Sequence, residues 1–159
     1  MGNGNAGGPQ VCCPPPALFL GALILGGAIE WFWPLGPGPG FGRLMLGMLG
    51  LVLVFAGAIF ALWAVWVLRQ EETPLMWYRP ARNLVTSGPY EVSRNPIYVG
   101  LSVAYIGLAI MLNWWWAVLF LPLVLLSLWR FVVTPEEAHL EARFGEDYRE
   151  YCERVSRWL

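Results

Sequence analysis

The sequence predicts an all-α integral membrane protein with about four transmembrane helices and an amphipathic C-terminal helix. Of its 159 residues, 57% are hydrophobic and only 13% are charged, whereas a typical soluble domain has about 25% charged residues. The charges are also unevenly placed, because residues 1–68 and 96–129 together contain only Glu30 and Arg43. These observations exclude an ordinary soluble domain and a disordered chain, and the net charge of −1 gives no reason to expect nucleic-acid binding.

Four apolar stretches are long enough to be membrane spans, since a spanning helix needs about 17–25 apolar residues. They cover residues 17–33, 44–68, 96–112 and 116–133. The last two are separated by three residues and form a helical hairpin, and the tryptophan run 114–116 is typical of a membrane interface. The Pro/Gly run 34–40 predicts a turn between the first two spans, and the Gly-, Asn- and Pro-rich residues 1–16 are expected to be disordered.

The arginines predict which side of the membrane each polar segment faces. Segment 69–95 contains four of them and segment 130–159 five, while the linker 34–43 contains one and the 113–115 turn none. With four spans, both arginine-rich segments and both termini fall on one side, which the positive-inside rule makes the cytoplasmic side. The chain has no Lys, which excludes lysine-based covalent catalysis and a P-loop lysine.

The polar loop before the third span contains a helix-start signal with a cation beside it. Gly88-Pro89 is a turn signal, and Asn95-Pro96 is typical of an N-cap residue followed by proline at the first helical position. Arg94 precedes this start, and Tyr90 and Tyr98 flank it. The pattern fits a site for a carboxylate or phosphate, or a plain capped helix whose arginine meets lipid headgroups.

The C-terminal segment reads as an amphipathic helix. Thr134 is predicted to cap it, and Gly145 is a candidate position for a bend. Glu136 and Glu137 are either a solvated pair that favours the helix dipole or an acidic site for a cation close to the Arg94 turn. The residues at spacings of three and four that form its apolar stripe are Leu140, Phe144, Tyr148, Tyr151, Val155 and Trp158.

The cysteines and the single histidine give no metal-site pattern. Cys12 and Cys13 are adjacent, Cys152 is distant, and His139 has no partner at a ligand spacing. The sequence therefore predicts no metal centre, and it assigns no role to the cysteines.

The two polar motifs together resemble a known family. The stretch GPYEVSRNPIYVG is followed about 35 residues later, across the hairpin, by EEAHLEARFGEDYREYCERV. This order and spacing resembles the bacterial isoprenylcysteine carboxyl methyltransferase-like group, which belongs with the phospholipid N-methyltransferases. The resemblance covers residues 84–159 and is weaker over the first two helices. Members often have His before the proline, where this chain has Asn95, so a role that needs a titrating imidazole is lost.

The resemblance implies an integral membrane methyltransferase that uses S-adenosylmethionine and releases S-adenosylhomocysteine. It implies a lipophilic acceptor, through the carboxylate, thiol or amine of a lipid-like or prenylated molecule, and makes 69–159 the catalytic region after the two N-terminal spans in 17–68. The implied catalytic residues are Arg94 and Glu137. The implied cofactor-binding residues are Gly88, Tyr90, Arg94, Asn95, Pro96, Tyr98, Gly100, Glu136, Glu137, Tyr148 and Tyr151.

Two other functions remain open at this point. A small four-helix transporter is suggested by Glu30, because intramembrane carboxylates often act as coupling sites. A non-catalytic homologue of the methyltransferases is the other possibility, since fold does not determine function. The methyltransferase interpretation predicts a bacterial inner-membrane protein with its active site on the cytoplasmic side.

Overall fold

The computed structural model describes residues 14–72 and 83–159, and these form helices without a β-strand. The predicted all-α membrane fold is therefore confirmed. A 3₁₀ turn at Gly88–Glu91 precedes the third helix, and a π-helical turn at Trp129–Val133 follows the fourth. The helices are α1 (Pro15–Phe32), α2 (Phe41–Gln70), α3 (Pro96–Leu112), α4 (Trp115–Leu128), α5 (Thr134–Phe144) and α6 (Glu146–Arg154).

The predicted spans correspond to α1 to α4. Helices α1, α2 and the continuous stretch Trp115–Phe144 are long and apolar enough to cross a membrane, and α3 is a shorter apolar helix of 17 residues. The predicted disorder of residues 1–16 is wrong for Pro15 and Pro16, because proline is favoured in the first turn of a helix and α1 already begins at Pro15. Residues 1–13, which include Cys12 and Cys13, lie outside the described residues.

The predicted cap at Thr134 is wrong, because the fourth span continues into the C-terminal segment. Thr134 has helical backbone angles, its N–H bonds to the carbonyl of Trp129, and its Oγ1 donates to the same oxygen at 2.7 Å. The π-helical turn allows the helix to continue past Thr134, because it widens the helix just before Pro135. Proline has no N–H to donate, and its ring would otherwise crowd the preceding turn. The predicted break at Gly145 is confirmed, since α5 ends there with φ of 54°.

Helices α2 and α3 lie in close contact through small residues. A Cβ on Gly100 would lie 2.7 Å from the backbone nitrogen of Ala61, and a Cβ on Gly57 would overlap the backbone nitrogen of Ala104. Gly107 meets α2 in the same way, with its missing Cβ 2.6 Å from the carbonyl oxygen of Gly50. Without a hydrophobic driving force inside the bilayer, such close backbone approach is what lets two membrane helices gain packing energy.

Helix α1 packs on α4. Glu30, near the end of α1, connects this helix to the start of α4. Its Oε1 accepts hydrogen bonds from the N–H groups of Leu35 (2.6 Å) and Gly36 (3.0 Å), and its Oε2 accepts one from Trp116 at the start of α4 (3.2 Å). The side chain is buried, with 8% of its surface exposed. Glu30 therefore satisfies backbone donors in the linker and at a helix N-terminus, which removes the observation that favoured a transporter.

The two charged segments meet at the opposite end of the bundle. The end of α2, the start of α3 and helices α5 and α6 lie there, and the start of α1 joins them, because Pro15 and Pro16 line the same cavity as Arg94 and Glu137. For the residues that the structure describes, the predicted arrangement is confirmed: parts of both polar segments and the start of the first span lie at one end. Which side of the membrane this end faces stays a prediction.

We predict that Gly57→Ala lowers the free energy of unfolding by about 1–3 kcal/mol, because its methyl group has no space against α3. Unfolding of the protein in detergent micelles, followed by circular dichroism, measures the change. Gly47→Ala on the same helix is the matched control, since nothing lies within 4 Å of a Cβ there. Equal behaviour of the two variants would contradict close α2–α3 packing.

Candidate functional site

The turn before α3 is held by the C-terminal tail, residues 155–159. The backbone N–H of Arg94 donates to the carbonyl of Ser156 (3.0 Å), and the hydroxyl of Ser93 donates to that of Arg157 (3.3 Å). Asn95 stands at the N-cap position of α3, as predicted, but its side chain does not cap the helix. Its amide donates to the Arg157 carbonyl instead (3.1 Å), so Asn95 connects the turn to the tail.

Glu137 lies between two arginines from distant parts of the chain. Arg157 binds it with two parallel hydrogen bonds, from Nε to Oε1 (2.9 Å) and from Nη2 to Oε2 (2.8 Å). Arg94 makes a single contact, from Nη1 to Oε1 at 3.3 Å. The hydrogen bond to Glu137 raises the pKa of Arg157. The side chains of Arg94 and Glu137 are 15% and 17% exposed, so this is a largely desolvated charge cluster.

Glu136 faces a different direction, because adjacent residues on a helix point about 100° apart. Its carboxylate is buried at 8% exposure, and the Tyr98 hydroxyl donates to it at 3.2 Å from Oε1 and 3.4 Å from Oε2. Among residues 14–72 and 83–159, no arginine or histidine forms an ion pair with it. A buried carboxylate without a cationic partner is costly, which marks this group as one that a positively charged ligand would stabilise.

Arg94 also has unused hydrogen-bonding capacity. Its Nη1 donates to Cys152 Sγ at 2.7 Å besides contacting Glu137, while its buried Nε has no hydrogen-bond partner among the described residues. A guanidinium group carries five N–H donors, and buried donors are normally satisfied. The side chain can therefore take on further acceptors, as a bound carboxylate would provide.

These charged groups open into one cavity of about 370 Å³. It is lined by residues of α1, α2, α3, α5 and α6 and by residues between α2 and α3. Apolar residues contributed by α1, α2 and the segment before the 3₁₀ turn complete the wall. Of the residues named from the sequence, the cavity is lined by Tyr90, Arg94, Asn95, Pro96, Tyr98, Glu136, Glu137, Tyr148 and Tyr151.

Two predicted positions do not line the cavity. Gly100 lies against Ala61 of α2, so its missing side chain serves helix packing. Gly88 begins the 3₁₀ turn with φ of 61°, a left-handed conformation that favours glycine, and its N–H bonds to the Glu91 carboxylate at 3.3 Å. Both glycines shape the turn and helix that hold Tyr90 and Tyr98, and neither offers backbone to the cavity.

Three tyrosines form an aromatic wall. Tyr148 and Tyr151 are 3% and 4% exposed, their ring centroids are 6.3 Å apart, and the Tyr151 hydroxyl donates to the carbonyl of Tyr90 at 2.7 Å. Burial raises the pKa of Tyr90, Tyr148 and Tyr151 above the ordinary value of a phenol. They are therefore neutral at physiological pH and act as hydrogen-bond donors and apolar faces rather than as bases.

Arg157 is the site residue that the sequence did not indicate. It stands 20 residues after Glu137 and more than 60 after the turn that binds it. It follows the end of α6 and belongs to no periodic pattern, so no local signal distinguishes it from the four other arginines of segment 130–159. Only the folding of the tail onto the turn brings it to the carboxylate.

The sequence is similar to those of known methyltransferases. The model of a family described as phospholipid methyltransferase matches residues 45–147. Protein-S-isoprenylcysteine O-methyltransferase of Schizosaccharomyces pombe is 36% identical over 72 residues, which are 45% of this chain and 30% of that protein. Protein-S-isoprenylcysteine O-methyltransferase B of Arabidopsis thaliana is 33% identical over 112 residues, which are 67% of this chain and 55% of that protein.

The match to those relatives is partial in length. The aligned region covers 55% or less of each of these two methyltransferases. An uncharacterized protein of Haemophilus influenzae is 32% identical over 63 residues, which are 40% of this chain and 79% of that protein. No solved structure matches the chain.

Proposed function

The chain belongs to the phospholipid methyltransferase family, and on that premise we propose that it is an S-adenosylmethionine-dependent membrane methyltransferase with a lipophilic acceptor. One observation carries the proposal. A buried carboxylate without a cation, Glu136, and a guanidinium with an unpartnered donor, Arg94, line the same cavity. The cavity is thus built for a ligand that bears both a positive and a negative charge.

The residues fit the cofactor by their chemistry. S-adenosylmethionine carries a sulfonium and an amino group, which Glu136 would stabilise, and a carboxylate, which Arg94 would hold by charge-assisted hydrogen bonds. The N-terminus of α3 lies beside Arg94 and adds the positive end of a helix dipole. The neutral rings of Tyr148 and Tyr151 would supply faces for the adenine or the sulfonium.

Methyl transfer asks little of the protein besides positioning. S-adenosylmethionine supplies an electrophilic methyl group, whose carbon bonds to the acceptor as its bond to sulfur breaks and the electron pair stays on sulfur. Glu136, held by the Tyr98 hydroxyl, would orient the reactants from one side, and Arg94 from the other. The apolar wall of the cavity would exclude water, which would otherwise compete as a nucleophile.

A carboxylate is the acceptor that this cavity suits best, because it has no proton to lose. Both oxygens of Glu137 are occupied by guanidinium groups, and the lining tyrosines stay protonated. An amine acceptor would need a proton acceptor. Glu137 is poorly placed for this role, and Glu136 is assigned to the cationic groups of the cofactor. O-methylation is also the reaction in the printed names of the relatives from Schizosaccharomyces pombe and Arabidopsis thaliana.

The acceptor would reach the cavity from the bilayer. Helix α1 packs on α4 while α2 packs on α3, and the start of α1 and the end of α2 both line the cavity. Leu62 of α2 lines the cavity and is also 67% exposed on the surface of this apolar helix. An apolar tail could therefore enter sideways past Leu62 while its polar head meets Arg94. We place this end of the bundle on the cytoplasmic side of a bacterial inner membrane, from the arginine bias.

We predict that Glu136→Gln weakens S-adenosylhomocysteine binding by about tenfold or more, because the ligand's ammonium loses a charged hydrogen-bond partner. Glutamine keeps the size of the side chain and an acceptor for Tyr98. Isothermal titration of the detergent-solubilised protein measures the affinity. Glu146→Gln is the matched control, since that side chain is 91% exposed at the start of α6. Failure of folded wild-type protein to bind either S-adenosylmethionine or S-adenosylhomocysteine would refute the proposed function.

We predict that Leu62→Trp raises the KM for the lipophilic acceptor and leaves the affinity for S-adenosylhomocysteine unchanged, because the larger side chain narrows the entrance. Steady-state kinetics in lipid nanodiscs measures the effect. Ile59→Trp serves as the control, because Ile59 is 65% exposed on the same helix but does not line the cavity. If the two variants change the KM alike, entry past Leu62 is wrong.

A further inference from the structure

We propose that Arg157 is a positioning residue: it neutralises Glu137 so that Arg94 remains available to bind the carboxylate of the ligand. The inference rests on the proposed function, because the ligand carboxylate is that of S-adenosylmethionine. It adds a residue from the C-terminal tail to a site otherwise formed by the 3₁₀ turn, α3, α5 and α6.

Two guanidinium groups, those of Arg94 and Arg157, share the one carboxylate of Glu137. Arg157 meets both oxygens of Glu137, at 2.8 and 2.9 Å, in the planar geometry that suits a guanidinium. Arg94 makes one contact at 3.3 Å and shares the same nitrogen with Cys152. Glu137 is therefore satisfied mainly by Arg157, and Arg94 is the cation that another anion can engage.

The two arginines differ in their position relative to the cavity. Arg94 lines the cavity, and Arg157 does not. Arg157 also has a fixed backbone, since its carbonyl accepts hydrogen bonds from Ser93 and Asn95, and the neighbouring Trp158 packs against the main hydrophobic core. The tail thus holds Arg157 against Glu137 and outside the lining of the cavity.

Removal of Arg157 would leave Glu137 with Arg94 as its partner. Glu137 is only 17% exposed and would keep its charge with Arg94 as its remaining cation. Without Arg157 the cluster has one cation for one carboxylate, so Arg94 would turn fully onto Glu137 to compensate its charge. The ligand carboxylate would then lose its partner, while the ligand's cationic and adenine groups would keep theirs.

The test compares two probes that differ only in that carboxylate: S-adenosylmethionine and its decarboxylated analogue. Wild-type protein is expected to prefer S-adenosylmethionine by about tenfold or more, the effect of a charge-assisted hydrogen bond. Arg157→Ala should weaken the binding of S-adenosylmethionine by about tenfold and leave the binding of the analogue little changed. The preference for S-adenosylmethionine would then be lost. Arg157→Lys should restore part of it, because lysine keeps the charge but not the bidentate geometry.

Arg154→Ala is the matched control, since Arg154 ends α6, is 65% exposed and pairs with Glu150 at the surface. The double variant Glu137→Gln with Arg157→Ala should regain the preference, because Arg94 then has no carboxylate to turn to. Arg157→Gln gives the same readout should the alanine variant fail to fold. Equal weakening of both probes, or no recovery in the double variant, overturns the role of Arg157 and leaves the proposed function standing. Wild-type protein that binds neither probe overturns both.

Discussion

The site depends on one carboxylate, that of Glu137, which joins three segments that are far apart in the chain. Arg94 comes from the turn before α3, Glu137 from α5 and Arg157 from the C-terminal tail. Arg94 and Glu137 lie in a largely desolvated position, where charges must be compensated, so the carboxylate holds the turn and the tail to α5 through its two arginines. The charge cluster therefore fixes the tail on the turn before α3. This turn orients the start of α3, where the Tyr98 hydroxyl donates to the Glu136 carboxylate.

The membrane-embedded part of the molecule serves this cluster by holding its segments in register. Close packing of α2 on α3 through Gly57 and Gly100 sets the position of α3 along α2. It thereby sets the position of the turn before α3, which contains Arg94. The π-helical turn at Trp129–Val133 carries the fourth span without a break into α5, so Glu136 and Glu137 sit on a rigid extension of a membrane helix. The contacts of the site therefore depend on the packing of the membrane helices as well as on the charged residues themselves.

Much of the fold could be predicted from the sequence, because hydrophobicity and charge placement act locally. The bounds of α3 and the break at Gly145 follow from such signals. The continuation through Thr134 could not be predicted, since a threonine followed by proline and two glutamates is typical of a helix start, and only the π-helical turn overrides it. Glu30 was equally ambiguous, because its donors come from a linker and from a helix that begins 85 residues later.

Most of the charged and aromatic residues that line the cavity could be named from the sequence, because the two motifs contain residue types that suit a zwitterionic ligand, and their roles toward a ligand stay predictions. Gly88 and Gly100 were also named and do not line the cavity, because a glycine that permits helix packing or a tight turn looks the same in a sequence as one that admits a ligand. Arg157 could not be found, because its partners are 20 and more than 60 residues away. Contacts of that kind are set by the tertiary fold alone.

The most direct test of the central claim is to follow a labelled methyl group from S-adenosylmethionine into a membrane-soluble acid. The protein would be reconstituted in vesicles that contain a prenylated cysteine with a free carboxylate. We expect label in the lipid phase that mild alkali releases as methanol, the behaviour of a methyl ester. Folded protein that binds S-adenosylmethionine yet transfers no label, or transfers it only into an alkali-stable product, would contradict methyl transfer to a carboxylate.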